Sequence, residues 1–507
     1  MSTSIIYTNA NYKTAIGPKG YIIRKKYFNE QKISELKNEL TVLPIVIEGY
    51  QSEKPEPYKV YKESNTKLYV PRYFGINKLG NPNINLFDTE KEYSINSKMI
   101  IPDETAKLSI KLRPHQEPIV KKYLDSAKEC GGGTICAGCG IGKTGMAIYI
   151  TGHFKLRTLI LVHKEFLLNQ WRDRFKEFMP NARIGVIQGP KCEVLGCDVV
   201  IGMVQSVSKK DDYPPYAFQN FGLLIVDEAH HMSSRSFCKA LPKTSFKYTL
   251  ALTATPKRND GLQNVFLWYM GPIVYKSVPK EDTQVKVNIY QYQNNRGSYC
   301  KEYFNYRGLP NNGKMITNIA ESDERNHFIG TLLPNLIREN RKILILTERL
   351  SQVAWFMSAL ENRFKVDGVL ISVGKYVGGM GQSNLDKSLE ARIIIGTYSM
   401  ISEGFDCAEL DTLIMASPKG DIEQTVGRIL RKEAKDRDRM PLIIDIWDMF
   451  GSYHNKGFKR IKYYSRRHYL METYTVIDNK DKPREIIKEA KIPFQKAHNA
   501  KPALYKF

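Results

Sequence analysis

Cysteine is scarce, 8 in 507 residues, which is not a disulfide framework. Cys136 and Cys139 form a C-x-x-C, but no second such pair completes a zinc site, because Cys192 and Cys197 are spaced wider. A zinc or iron–sulfur centre is therefore not expected. No apolar run approaches the ~20 residues of a membrane span. The opening Met1-Ser2-Thr3-Ser4-Ile5 has no basic leader and no myristoylation glycine. The expectation is a soluble intracellular protein in a reducing compartment, with no membrane partner. Acidic residues are also short, 53 against 76 basic ones, for a net charge of +23. That surplus favours a polyanionic partner, most simply nucleic acid, although many basic proteins bind none. What remains is ordinary for a globular chain, 25% charged and 42% hydrophobic, and the length calls for two or three domains.

The most informative stretch is Ala137-Gly138-Cys139-Gly140-Ile141-Gly142-Lys143-Thr144. A short apolar run, Thr134-Ile135-Cys136-Ala137, precedes it, and the helix-like Gly145–Ile150 follows. Strand, glycine-rich turn, Lys-Thr and helix together make a phosphate-binding loop. The glycines let backbone N–H groups turn inward around phosphate oxygens, and the helix N-terminus adds partial positive charge. Gly138, Cys139, Gly140, Ile141, Gly142, Lys143 and Thr144 are the candidate nucleotide-binding residues. Lys143 is expected on the β/γ-phosphates and the Thr144 hydroxyl on Mg²⁺. Ala137 stands where the strict pattern has glycine. Alone, the loop has a bland alternative, a glycine-rich turn that happens to end in Lys-Thr.

A second stretch, Leu223-Leu224-Ile225-Val226-Asp227-Glu228-Ala229-His230, decides against that alternative. Four consecutive apolar residues read as a strand buried on both faces of a parallel sheet. Acids at its C-terminal end fall where such sheets bind ligands. Asp227 is expected to hold Mg²⁺ through water, and Glu228 to orient and activate the attacking water.

In chain order, residues 1–107 mix short β-like runs (Leu43–Ile47, Lys67–Val70) with Pro and Gly breaks and carry 16 basic and 12 acidic residues. The run Leu68–Gly75 could touch a base stack, but more often such a run is the core edge of a small domain. Gln116, about 25 residues before the loop, can donate and accept together, which suits an adenine edge. Thr158–Val162, Asp198–Gly202 and Tyr248–Leu252 read as strands alternating with helices, so the sheet should be mostly parallel. Residues 279–323 read as a connector containing one strand-like run, Gln284–Tyr292; a wedge that parts two strands is the rarer alternative there. A second α/β unit has strands at Lys342–Leu346, Arg392–Gly396, Asp411–Ala416 and Pro441–Ile446. Gly374–Gly381 reads as a flexible loop without the Lys-Ser/Thr ending. Gln424–Arg431 reads as helix, with Arg428 and Arg431 on one face, where they could reach a γ-phosphate. The last segment, residues 451–507, has 14 basic and 5 acidic residues. Its run of cations and tyrosines either grips nucleic acid, with Lys459 and Arg460 as candidates, or packs as an amphipathic helix on the second unit. The expected domains are 1–107 accessory, 108–278 first lobe, 279–323 connector, 324–450 second lobe and 451–507 basic extension.

The order of these motifs resembles the superfamily 2 helicases of the DExH type, over residues 112 to about 450. Gly142-Lys143-Thr144, Asp227-Glu228-Ala229-His230, Thr253-Ala254-Thr255 and Gln424…Arg431 look like that family's motifs I, II, III and VI. Lys342–Thr347 is similar to motif IV. Ile395-Gly396-Thr397 with Glu403-Gly404-Phe405-Asp406 is similar to motif V. Ala254-Thr255-Pro256-Lys257-Arg258-Asn259-Asp260-Gly261-Leu262 narrows the likeness. It points to XPB-like and phage-type DNA helicases and to transcript-release helicases of poxviruses and other large cytoplasmic DNA viruses, asfarviruses above all. The resemblance implies an α/β fold of two RecA-like lobes with parallel sheets in tandem, beside a small N-terminal α+β domain and a basic C-terminal extension. It implies ATP and Mg²⁺ as cofactors, 3′→5′ movement, and unwinding of duplex DNA or an RNA–DNA hybrid. A role in viral transcription in the host cytoplasm follows from it, with transcription machinery as a partner and RNA as a second possible substrate. Gln424, Arg428 and Arg431 would join Lys143, Asp227 and Glu228 in catalysis, with Arg431 the preferred arginine finger. His230, Thr253, Thr255, Gly404 and Asp406 would couple hydrolysis to movement. His163, Gln205 and Thr397 would touch nucleic acid. A non-enzymatic nucleic-acid scaffold and a P-loop small-molecule kinase are the rival readings, and neither needs the whole motif set.

Overall fold

The structure, a computed structural model, describes residues 12–43, 56–89, 95–138, 140–209, 213–229, 246–254, 262–277, 284–295, 297–306, 308–401, 405, 407–430, 432, 437–478 and 483–489. Two compact units divide the chain, Met1–Val278 and Pro279–Phe507.

The first unit begins with a five-stranded sheet ordered Lys62–Glu63, Lys67–Val70, Gly20–Arg24, Thr14–Gly17, Ile84–Asn85. Helices Glu30–Glu39 and Arg72–Leu79 accompany it. Its core of Tyr21, Ile23, Leu36, Leu68, Val70 and Phe74 continues directly into Leu262 and Val265 of the larger part of the unit. The Arg72 guanidinium donates to the Lys247 and Phe246 carbonyls at 2.8 and 2.6 Å. The Tyr73 hydroxyl meets that of Thr249 at 2.9 Å. The run Leu68–Gly75 is thus a core edge that joins the accessory sheet to the α/β body.

That body is an eight-stranded sheet. Its order is Lys191–Cys192, Ile184–Gln188, Val199–Met203, Thr158–Val162, Leu223–Val226, Tyr248–Thr253, Gly132–Cys136, Ile273–Lys276. All neighbours are parallel except the Lys191–Cys192 edge. The apolar runs are unbroken because both faces are covered. Ile160, Val162, Leu223 and Ile225 face the core made with Met146, Ile150, Trp171 and Phe175. Leu159, Leu161, Leu224 and Val226 face the core made with Val204, Val207, Phe266 and Met270.

The second unit repeats the plan. Its eight strands run Val373–Tyr376, Ile393–Thr397, Ile343–Thr347, Thr412–Met415, Leu442–Asp448, Lys286–Asn294, Leu470–Asp478, Glu485–Lys488. Only the last is antiparallel. Three expectations change here. The connector expected at 279–323 supplies the nine-residue strand Lys286–Asn294 inside the sheet. The extension expected from 451 supplies its other neighbour, Leu470–Asp478. The loop expected at Gly374–Gly381 begins as the edge strand Val373–Tyr376, whose alternating burial gives no unbroken apolar run.

Helix Gly451–Arg466 packs on the strand Leu442–Asp448. A Cβ at Gly457 would lie 2.0 Å from the Trp447 indole nitrogen, so glycine sets the close approach of helix to sheet. Arg460, read from the sequence as a nucleic-acid contact, is corrected here. Its side chain is 1% exposed and ion-paired to Asp445 at 2.7 Å, itself 1% exposed. A further bond runs from its Nη1 to the Lys419 carbonyl at 2.8 Å. The Tyr464 hydroxyl donates to the same carboxylate at 2.9 Å. A carboxylate buried at a strand centre needs a counter-charge, and Arg460 supplies it. Arg325 and Asp448 form a second such pair at 2.7 Å, both fully buried. Arg460→Ala should destabilise this unit by about 3–5 kcal/mol, the range for stranding one member of a buried pair, as read by urea unfolding.

Candidate nucleotide site and nucleic-acid edge

The strand order places three motifs side by side. Leu223–Val226 ends in Asp227-Glu228, Tyr248–Thr253 is its neighbour, and Gly132–Cys136, which leads into the glycine loop, is next. The Ala137 N–H donates to the Thr253 carbonyl at 2.9 Å, continuing the sheet into the loop.

The loop turns through Gly140 and Gly142, at φ 84° and 86°, into helix Lys143–Phe154. Lys143 Nζ donates to the Ala137 carbonyl at 2.9 Å, folding over the loop. Thr144 is half-buried on the first turn. Gly138 N–H is held by Ser277 Oγ at 3.2 Å. Gln116 is buried, accepts from Arg113 N–H at 2.9 Å and donates to the Ile141 carbonyl at 2.9 Å. A Cβ at Gly142 would sit 2.3 Å from that amide nitrogen. Gln116 therefore braces the glycine loop.

Asp227 is 7% exposed. Trp171 Nε1–H donates to its Oδ2 at 2.8 Å, and the Glu228 N–H to its Oδ1 at 2.9 Å. Burial pushes its carboxyl pKa up, while the Trp171 bond and the Lys143 and His163 charges oppose that rise. A carboxylate in this setting gains from a nearby cation. Glu228 takes a left-handed φ of 48°, rare for a non-glycine residue, which turns the chain sharply off the strand end. Trp171 was not legible as a site residue. It lies on the apolar face of helix Glu165–Phe178, and no spacing ties it to Asp227.

His163 follows Thr158–Val162, and its carbonyl accepts from Gln205 Nε2 at 2.8 Å. Two predicted nucleic-acid residues from neighbouring strands thus meet on the C-terminal edge. Thr253 is fully buried. Cys136 is buried, and its thiol is pushed up to about 11 by that burial. Among the described residues no cluster of three or more His, Cys, Asp or Glu is placed to hold a metal ion.

In the second unit, Thr397 ends Ile393–Thr397 with its hydroxyl 3.2 Å from that of Ser399. Gln424 is half-buried on helix Glu423–Val426. The helix expected to reach Arg431 stops there, because Arg428 and Ile429 bond three residues back instead of four. That tightening carries Arg428 inward, 5% exposed, with Nη1 on the Phe405 carbonyl at 2.7 Å. Lys459 is exposed on helix Gly451–Arg466. Cys139, His230, Thr255, Gly404, Asp406 and Arg431 lie outside the described residues.

Residues 109–258 match the family model described as the res subunit of type III restriction enzymes. The chain is 38% identical over 474 residues to a mimivirus protein (Acanthamoeba polyphaga mimivirus) named as an ATP-dependent RNA helicase, covering 92% of this chain and 88% of that one. The chain belongs to the superfamily 2 helicases. A protein of invertebrate iridescent virus 6 named as a helicase is 27% identical, over 83% of this helicase and 93% of its own length. An African swine fever virus protein named as an ATP-dependent RNA helicase is 26% identical, over 65% and 68%. The helicase is an ATP-using enzyme that acts on nucleic acid, and its two parallel sheets are tandem RecA-like lobes. Among its described residues no helix is long and apolar enough to cross a membrane.

Gly142→Ala should remove ATPase activity. The new methyl group meets both a left-handed φ and the Gln116 amide. Unfolding of the Pro279–Phe507 unit should be unchanged, which separates a loop defect from general misfolding.

Proposed function

We propose that this helicase moves 3′→5′ along one strand and unwinds duplex DNA or an RNA–DNA hybrid during viral transcription. The observation that carries the motor reading is the single sheet edge that holds the glycine loop, Thr253 and Asp227-Glu228 together. In this reading Lys143 and the loop N–H groups of Gly138–Gly142 hold the phosphates. The fit of Mg²⁺ rests on the buried Asp227 carboxylate and the Thr144 hydroxyl, hard oxygen donors of the kind that cation takes. Bound there, it would neutralise phosphate charge. Glu228 orients and deprotonates the attacking water. Gln116 reads adenine while bracing the loop. Thr253 and Thr255, with His230, Gly404 and Asp406, transmit the state of the nucleotide. Gln424 and one of the two arginines expected there sense the γ-phosphate. Arg428 is committed to the Phe405 carbonyl, so Arg431 is the preferred finger. His163, Gln205, Thr397 and Lys459 contact the polymer, and each turnover advances one step.

A second reading, RNA as the substrate, is favoured by the mimivirus and African swine fever virus relatives, both named as RNA helicases. Steady-state ATPase with no polymer, single-stranded DNA, duplex DNA and single-stranded RNA separates the two. DNA-dominant stimulation supports the first reading, and 3′- against 5′-tailed duplexes then test direction. RNA-dominant stimulation supports the second. No stimulation by any polymer would sink both. In every arm Glu228→Gln should lower turnover by about 100-fold or more with ATP still bound, as loss of a general base does.

Truncation at residue 451 cannot test the basic segment, because it removes the strand Leu470–Asp478 from the sheet. Lys459 and Lys462 are exposed and can be replaced singly. Each alanine should flatten the slope of log affinity against log salt by about 0.7–0.9 if that lysine meets a phosphate.

A further inference from the structure

The segment between Lys286–Asn294 and helix Asn312–Ala320 is built, not slack. Asn305 N–H donates to the Leu309 carbonyl at 2.8 Å, and Gly308 N–H returns to the Asn305 carbonyl at 2.9 Å. The Asn305 side chain caps Leu309 N–H at 3.0 Å. Phe304 and Pro310 form an antiparallel bridge, and Asn311 N–H closes on the Tyr303 carbonyl at 2.6 Å. The result is a tight hairpin whose described residues are 303–306 and 308–311. Its base is fixed to the lobe. Tyr299 is buried, with its hydroxyl on Asp448 at 2.6 Å. Asn318 Nδ2 donates to the Ser298 carbonyl at 3.0 Å, and the Tyr453 hydroxyl to the Asn312 carbonyl at 3.0 Å.

This ordered hairpin presents aromatic rings to solvent. Tyr306, in the turn, is 81% exposed, and Phe304, two residues earlier, is 57% exposed. Two exposed rings on a fixed turn mark a contact surface far better than single scattered apolar residues do. Cations lie on the neighbouring ring, Tyr303, of the same hairpin. Lys301 and Lys314 are exposed, with ammonium groups 5.6 and 4.1 Å from the Tyr303 ring centre. Position matters as well. The hairpin leaves the C-terminal end of Lys286–Asn294, on the edge of the sheet where Thr397 ends its strand and Arg349 follows Ile343–Thr347. Arg349 ties the hairpin's following helix to that edge through the Gly313 carbonyl at 3.0 Å. Flat rings beside cations match single-stranded nucleic acid, whose bases offer π-faces and whose phosphates offer charge.

We propose that Phe304 and Tyr306 stack on unpaired bases of a single strand passing over the C-terminal edge of the second lobe. The inference rests on the motor reading above. It adds the element that holds bases and gives the 303–311 hairpin a role that a linker lacks.

The test compares the full chain with Phe304→Ala, Tyr306→Ala, the double variant and Tyr306→Trp. The ligands are a normal DNA or RNA single strand and an abasic strand of equal length and charge. The wild type should bind the normal strand more tightly than the abasic one. The double variant should lose about tenfold or more on the normal strand, in line with base–aromatic stacking, and nothing on the abasic strand. Tyr306→Trp should retain binding. ATPase without polymer should match wild type in all variants, which also reports intact folding. Equal affinity of wild type and double variant for the normal strand, or an equal loss on both strands, overturns the proposal. If polymer stimulates wild-type ATPase in either case, the motor reading stands and only the stacking role fails.

Discussion

A parallel sheet covered on both faces leaves its chemistry one place to go. All strands but one edge strand in each sheet point the same way, so their C-terminal ends lie on one edge, and polar residues without a partner are kept out of the interior by the cost of burying them. In the first lobe that edge gathers the glycine loop, Thr253, Asp227-Glu228 and the His163–Gln205 contact. In the second it gathers Thr397, Arg349 and the hairpin after Lys286–Asn294. Site positions follow from strand order. The strand Tyr248–Thr253, inserted between those ending at the loop and at Asp227, sets their separation and gives Thr253 its central place.

Charge at the edge and charge in the interior serve opposite ends. Asp227 is buried at the edge with the Trp171 and Glu228 N–H groups on its oxygens, and the Lys143 charge acts on it at longer range. Asp445 and Asp448 are buried as deeply, but each has a guanidinium locked against it. Those pairs are closed, and they fix how helices meet the second sheet. The same residue type is held by N–H donors at the edge and by guanidinium groups in the interior.

The motif-bearing strands were legible because continuous apolar runs can survive only in a sheet buried on both sides. Leu223–Val226 and Thr158–Val162 announce themselves, and the polar residues after them fall on the edge by geometry. What was not legible depended on partners distant in sequence. Lys286–Asn294 alternates polar and apolar residues and reads as a lone strand, since its neighbours come from beyond residue 440. Arg460 sits in a run of cations that looks like a phosphate grip, and only the apposition of Asp445 reveals it as interior. Arg428 appeared to share a helix face with Arg431, but the helix tightens before reaching it. Trp171 looked like one more core aromatic until its indole N–H was found on Asp227.

The placement of Lys286–Asn294 bears on how the chain is made. Both of its neighbours, Leu442–Asp448 and Leu470–Asp478, are synthesised much later. Peptide-bond formation at about 5–20 residues per second leaves the strand waiting on the order of 10–40 s for its second neighbour. During that interval the first lobe is already fully synthesised and can fold, while the second exposes an edge with open backbone groups to whatever else is nearby. The second sheet is therefore closed late, and its order of assembly is set by the arrival of the strand Leu470–Asp478.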